Sequence, residues 1–248
     1  MKIVNAVWEL KNLGKRTVEI TLESKDFACA DSKIFLKINE TCKQYQAEYV
    51  VIKVRTGHPQ IGNELCRQGF FHIETQLNLK AVKEDVKIFL ERYANFFEDT
   101  VLSDIQNLND LEEVKAEILK GIFTNDRISL DKNFGIQTAN IRYANWTEDE
   151  FKRGARLSYV VYNNEKIGFS LRRYNKNSAH SILAGIFVKY KDLNIGGNAF
   201  FAGFNQDLQN GINKFYTSVS SNNLPSLRIQ QLFGYNVDDI YEVYVKHF

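Results

Sequence analysis

Proline is almost missing: Pro59 and Pro225 are the only two in 248 residues, so no proline-rich linker divides the chain. Cysteine is scarce as well. Cys29, Cys42 and Cys66 form an odd set with no CxxC pair. That fits reduced thiols in a cytoplasm better than a disulfide framework or a zinc site. The four histidines, His58, His72, His180 and His247, are scattered without metal-ligand spacing, so no metal centre is expected. No apolar run approaches the ~18 residues of a membrane-spanning helix. The opening MKIVNAVWELKNLGKR has no uninterrupted apolar core of the kind a secretory signal carries. A formal net charge of +2 gives no overall field favouring nucleic acid or a membrane surface. These absences predict a soluble cytoplasmic protein. A composition of 44% hydrophobic and 25% charged residues agrees with that, and the length suits one large domain or two small ones.

What is present is an internal echo. YVVIKVRTGHPQIGNELCRQGFFHIETQLNL (49–79) and KFYTSVSSNNLPSLRIQQLFGYNVDDIYEVYV (214–245) share one layout. Each reads as a β-rich run, a polar loop, a short amphipathic helix, a glycine–aromatic pair and an alternating strand. Gly69 and Gly234 stand 165 residues apart, just past each helix, where a positive φ is required. Aligned on these glycines, Val54 falls on Val219 and His58 on Asn223 without a gap. Either two related α/β halves are present, one of them cut short, or a common unit recurs by chance.

Between the echoes the pattern predicts a charged helix over 82–97 and another over 109–123. The second has acids early, lysines late and an apolar stripe at Val114, Ile118 and Ile122. TNDRISLDKNFG (124–135) is too mixed for a regular element. A helix is expected over 136–151, then a hairpin turning at Asn163–Lys166 and a central strand over 181–188. The C-terminal part thus reads helix, helix, three antiparallel strands, helix, strand, helix, strand: an α/β chain with a mixed sheet. KYKDLNIGGN (189–198) joins the central strand to the next helix. A strand, a glycine turn and a helix can present backbone N–H groups to phosphate, although a plain connecting turn looks the same.

That element order, together with DRISLDKNFGIQTANIRYANW (126–146), LCRQGFFHIETQLNL (65–79) and LESKDFACADSKIFLKI (22–38), resembles the GNAT superfamily of N-acetyltransferases. Within it, these stretches look most like the dTDP-fucosamine (dTDP-4-amino-4,6-dideoxygalactose) acetyltransferases. The resemblance covers nearly the whole chain. It implies a truncated GNAT-like half over 1–82 and a GNAT acetyltransferase domain over 83–248. It also implies acetyl-CoA as co-substrate and a nucleotide-linked amino-deoxysugar as acceptor, and it makes a homodimer an expectation. Other readings stay open: N-acetylation of another small amine, or a catalytically weak protein that binds acyl-CoA or a partner without turnover.

The resemblance also implies a site. Acetyl-CoA would lie between splayed parallel strands, here 181–188 and 214–220. Its pantetheine arm would pair with backbone near Phe187, Val188 and Lys189, and its pyrophosphate would sit on the turn Leu193, Asn194, Ile195, Gly196, Gly197 and Asn198. In the family's phosphate-loop register, Asp192 takes the place of an Arg or Gln. Asn223 stands where the family contacts the cofactor arm, and it suits a helix N-cap equally. Gln230 occupies the position of the family's proton-donating Tyr, and an amide donates a hydrogen bond but no proton. His180 stands where the family places a base or a water-holding residue. Arg127, Asp131, Tyr143 and Trp146 would form the acceptor wall, although Tyr143 and Trp146, three apart, also suit simple packing on one helix face. Arg172 and Arg173 are adjacent in a strand, so at most one can face the site.

Overall fold

A computed structural model describes residues 1–28, 31–97 and 99–248; Cys29 lies outside them. The N-terminal elements are β1 (Lys2–Asn5), α1 (Trp8–Leu13), β2 (Thr17–Thr21), α2 (Asp31–Gln44), β3 (Tyr49–Arg55), α3 (Pro59–Arg67) and β4 (Phe71–Val82). There follow α4 (Lys83–Tyr93), β5 (Thr100–Asp104), α5 (Leu108–Leu119), α6 (Arg127–Leu130), α7 (Gly135–Lys152), β6 (Arg156–Tyr162) and β7 (Glu165–Asn175). The chain ends with β8 (Ser178–Ile186), α8 (Gly196–Gln209), β9 (Lys214–Ser220), α9 (Leu224–Leu232) and β10 (Asn236–His247). No helix among the described residues is long and apolar enough to cross a membrane.

Local chemistry explains most of these boundaries. Asn107 caps α5 by accepting from the Asp110 N–H at 2.9 Å, and Leu111, Val114 and Ile118 bury its inner stripe. Asn163 and Asn164, at φ of 49° and 63°, make the two-residue turn between β6 and β7. The stretch that looked too mixed for an element holds α6, started by a reciprocal cap. Asp126 accepts from the Ile128 N–H, and Ser129 Oγ accepts from the Asp126 N–H. The central strand stops at Ile186, earlier than its apolar run predicts. Phe187 donates its N–H to Ile167 at 2.8 Å, and Val188–Leu193 then coil into a 3₁₀ turn.

The ten strands among the described residues form one mixed sheet in the order β1-β2-β3-β10-β4-β9-β8-β7-β6-β5. It runs unbroken across the 82/83 boundary. The echo is legible in its register. Gln76 of β4 pairs with Tyr241 of β10, 165 residues later. Gln76 also pairs with Ser220 of β9, while Tyr241 pairs with Arg55 of β3, again 165 apart. The two units are thus related by a pseudo-two-fold axis near Gln76 and Tyr241, and each lends its last strand to the other. Gly69 and Gly234, at φ of 84° and 87°, end the equivalent helices α3 and α9 in the conformation only glycine adopts without strain.

Strand alternation assigns the faces. Val50, Ile52 and Val54 of β3 pack with Ile34, Ile38 and Leu65 beneath α2 and α3. Tyr49 and Val51, with Val243 and Val245 of β10, pack with Ile128 and Ala139 of α6 and α7. α7 therefore lies over the face that carries Glu19 and Lys53.

Candidate functional site

In the two units β2–β3 and β8–β9 are equivalent parallel pairs. β2 and β3 stay paired along Thr17–Thr21 and Tyr49–Lys53. β8 and β9 pair only at Ser178–Lys214, Ala179–Phe215 and His180–Tyr216. Beyond those three pairs the strands separate, with a last tie from Thr217 Oγ1 to the Ser181 carbonyl at 3.1 Å. A cleft of about 780 Å³ opens there. Leu183–Ile186 form one wall and Thr217–Ser220 the other, and Gly196, Ala199 and Phe200 of α8 close one end. Backbone groups on both separated edges lack a strand partner, which suits an extended ligand added between them.

The N–H groups of Gly196 and Gly197 open α8 and have no protein acceptor among the described residues. A Cβ on Gly196 would stand 3.1 Å from Ile229 of α9, so glycine keeps this passage open. Lys191 lines the cleft here, whereas Asp192 is exposed and does not. The acid of the turn therefore stays out of the cleft and a lysine enters it.

The remaining residues of that turn are placed elsewhere. Phe187 is buried against Tyr159 and Phe169, so the open edge lies at Leu183–Ile186 rather than at Phe187, Val188 and Lys189. Lys189 reaches Glu165 and the Tyr190 hydroxyl. Leu193 and Asn194 are exposed, and Ile195 packs with Val160 and Ile167. Gly197 lies under the Phe97 ring, and Asn198 donates to Thr100 Oγ1 at 2.7 Å. Asp131 is buried outside the cleft, held by His247 at 2.7 Å and by the Asn133 N–H at 2.9 Å.

Gln230, His180, Asn223, Arg127, Tyr143 and Trp146 all line the cleft. Asn223 caps α9 through Oδ1 to the Ser226 N–H at 3.2 Å. This leaves its amide N–H₂ without a protein partner among the described residues. Gln230 is buried, with Nε2 2.9 Å from Ser226 Oγ and Oε1 unpartnered. A hydroxyl both donates and accepts, so turning the amide over satisfies Ser226 equally and presents N–H₂ at the unpartnered end. His180 sits where β8 and β9 part. Desolvation by the concave wall, and then Arg173, hold its pKa below the usual imidazole value, against a smaller opposing pull from Glu150. Tyr143 packs on Phe123 with ring centroids 4.3 Å apart, and burial pushes its phenol pKa up.

The far end of the cleft is charged, and its strand residues escaped the sequence reading. Glu19 of β2, Lys53 of β3 and Glu74 and Gln76 of β4 line it, roofed by Arg127 and Arg142. The one available signal was a charge inside an apolar strand, such as the lysine in YVVIKV. Arg142 donates to both Glu9 oxygens, at 2.8 and 3.1 Å. Arg127 pairs with Glu19. Burial alone would raise the Glu19 pKa, but Arg127, then Lys53 and Arg142, outweigh it and bring it down to about 2. The unfolded reference is 4.5, so this carboxylate's stabilisation is fully present above that value and lost as the pH falls toward 2. Melting midpoints followed from about pH 5 to about pH 2 should fall more steeply for the wild type than for Glu19→Gln. Parallel curves would show that the pair does not act this way. Arg173 faces the cleft and pairs with Glu150, while Arg172 points to the opposite face and is buried.

No family model matches the sequence, and no curated protein does. Solved structures do match in fold. A GCN5-related N-acetyltransferase from Sphaerobacter thermophilus superposes with a TM-score of 0.64 at 11% identity, covering 99% of this chain and 75% of its own. One from Kribbella flavida gives 0.57 at 9% identity over 93% and 80% of the two chains. A tandem GNAT protein from the clavulanic acid biosynthesis pathway gives 0.54 at 13% identity over 87% and 69%. The fold is therefore that of the GNAT proteins, tandem members among them.

Proposed function

We propose that this chain is an acyl-CoA-dependent N-acetyltransferase, with acetyl-CoA as the co-substrate and a small amine as the acceptor. The observation that carries this reading is the parting of β8 and β9 after three paired residues, with the cleft leading to the start of α8. The residues present fit the cofactor. Unpartnered strand edges suit the pantetheine amides. The free N–H group of Gly196, with Lys191 also on the cleft, suits the pyrophosphate. The equivalent pair β2–β3 is closed along its length, which leaves one such gap among the described residues.

Acetyl-CoA supplies the activated acyl group. This chain's groups then orient it and manage protons. Unpaired N–H groups of β8 are donors for the negative charge that develops on the acyl oxygen. His180, held neutral by its lowered pKa, takes the proton that the nitrogen sheds as the C–N bond forms. Gln230 offers the departing sulfur a hydrogen bond. A thiol of pKa near that of cysteine, about 8.5, leaves as thiolate without immediate protonation.

The nucleotide-linked amino-deoxysugar remains the acceptor to which the sequence resemblance points. Arg127, the cation expected in the acceptor wall, is already paired with Glu19, so the sugar is tested as one acceptor among several. Gln230 favours the second reading, a binder of acyl-CoA without turnover. Acetyl-CoA is expected to raise the melting temperature, and free thiol is expected to appear when amines, dTDP-amino-deoxysugars included, are added. No thermal shift at concentrations well above micromolar removes the cofactor assignment. A shift without thiol release on any amine leaves the binder.

A further inference from the structure

Two charged side chains of the cleft floor have no role in the scheme above. Lys53 of β3 and Glu74 of β4 both stand opposite Val243 of the intervening β10. Residues in register across neighbouring strands point to one face, so ammonium and carboxylate rise from the same side with Cα atoms about 10 Å apart, two strand spacings. Both line the cleft, and Glu74 is only 7% exposed. Among the described residues neither has an ion-pair or hydrogen-bond partner. The other charged residues of the cleft's strand floor do: Glu19 holds Arg127, and Arg173 holds Glu150. Burial pushes the Lys53 pKa down, Arg127 adds to this, and Glu19 and Glu74 offset only part of it.

Desolvating a cation and an anion separately is unfavourable unless each gains a partner. We propose that this end of the cleft recognises an acceptor amine bearing its own carboxylate, with Lys53 on the carboxylate and Glu74 on the ammonium. The inference rests on the acyl-transfer reading and names its acceptor class. Charge balance selects a carboxylate over a phosphate. Lys53 is one free cation, whereas a dianion would call for a second, and Arg127 and Arg142 are held by Glu19 and Glu9. Glu74 then takes one proton from the ammonium, and the neutral amine forms the C–N bond as the C–S bond breaks. The second nitrogen proton leaves through water in the cleft, which carries it to His180 farther along the sheet and balances the thiolate, and Glu74 returns its proton to solvent.

The test uses the full chain with saturating acetyl-CoA and matched acceptors: phenylalanine with phenethylamine, histidine with histamine, lysine with cadaverine, and phosphoethanolamine with ethanolamine. The carboxylate member of at least one pair is expected to exceed its decarboxylated partner by about ten-fold or more in kcat/KM, the worth of one charge-assisted contact. Lys53→Met should remove that preference by raising KM for the amino acid far more than for the plain amine. Glu74→Gln should lower kcat and move the acidic limb of the pH profile. Equal rates within every pair, a preference only for phosphoethanolamine, or an equal loss on both members in Lys53→Met overturns the inference while acyl transfer stands. If acetyl-CoA does not bind, the acyl-transfer reading falls, and calorimetric titration of the same amines judges the pocket alone. Amino-acid binding that Lys53→Met abolishes supports it, and absence of binding overturns it.

Discussion

Arg172→Met is expected to destabilise the fold by about 3–5 kcal/mol, because it strands a buried carboxylate. Arg172 of β7 and Asp207 of α8 are 3% and 0% exposed and form an ion pair in the interior. Burial pushes the Asp207 pKa up, and Arg172, with the Tyr174 hydroxyl at 2.7 Å, pulls against that rise. Without Arg172 the carboxylate keeps the Tyr174 hydrogen bond and a weaker pull from Arg156. The site is shaped for the pair: a Cβ on Gly203 would overlap the guanidinium, so α8 can lie this close to β7 only with glycine there. Urea denaturation measures the loss. Arg172→Met with Asp207→Leu should recover most of it, since an apolar pair leaves no charge behind. A single variant within about 1 kcal/mol of wild type would show that the pair is not holding α8. The consequence reaches function, because α8 carries the free N–H group of Gly196 at the end of the cleft.

Gly196→Glu is expected to weaken acetyl-CoA binding by on the order of 100-fold while leaving the fold intact. A carboxylate about 4 Å from a phosphate charge opposes it by roughly 1–4 kcal/mol. The longer side chain also projects toward Ile229, across the passage between α8 and α9. The same carboxylate at the first turn of a helix stabilises that helix by about 0.3–1 kcal/mol. Stability and affinity should therefore move in opposite directions, which separates a blocked site from a damaged fold. Calorimetric titration with acetyl-CoA and a thermal melt read the two effects. Unchanged affinity would move the pyrophosphate away from this turn.

Much of the architecture was legible beforehand because its causes are local. Glycines needing positive φ marked the ends of α3 and α9. Asn163–Asn164 marked the turn between β6 and β7, and a four-residue apolar recurrence marked α5. Three stretches were misjudged, among them β5 (Thr100–Asp104), a short edge strand that pairs with β6 and that no local pattern announced. α6 is one turn long, too short for periodicity to show, and rests on a reciprocal cap. The ladder between β7 and β8 ends with the bond from Phe187 to Ile167, and the chain then coils into a 3₁₀ turn over Val188–Leu193. Of the expected site, Gln230, His180, Asn223, Gly196, Arg127, Tyr143 and Trp146 come together on the cleft, and Asp131 and most of the glycine turn do not.

The sequence by itself determined two strand–helix–glycine–strand units 165 residues apart and, β5 and α6 aside, the element order of the C-terminal part. Backbone preference and hydrophobic period act over a few residues, so they can be read there. Only the tertiary structure decided that β10 enters between β3 and β4, that β8 and β9 part while β2 and β3 do not, and that Arg173 rather than Arg172 meets the cleft. It alone set Lys53 and Glu74 on either side of Val243 without partners. Strand pairing and the desolvation of a charge depend on neighbours many residues away, and no local pattern records which neighbours those will be.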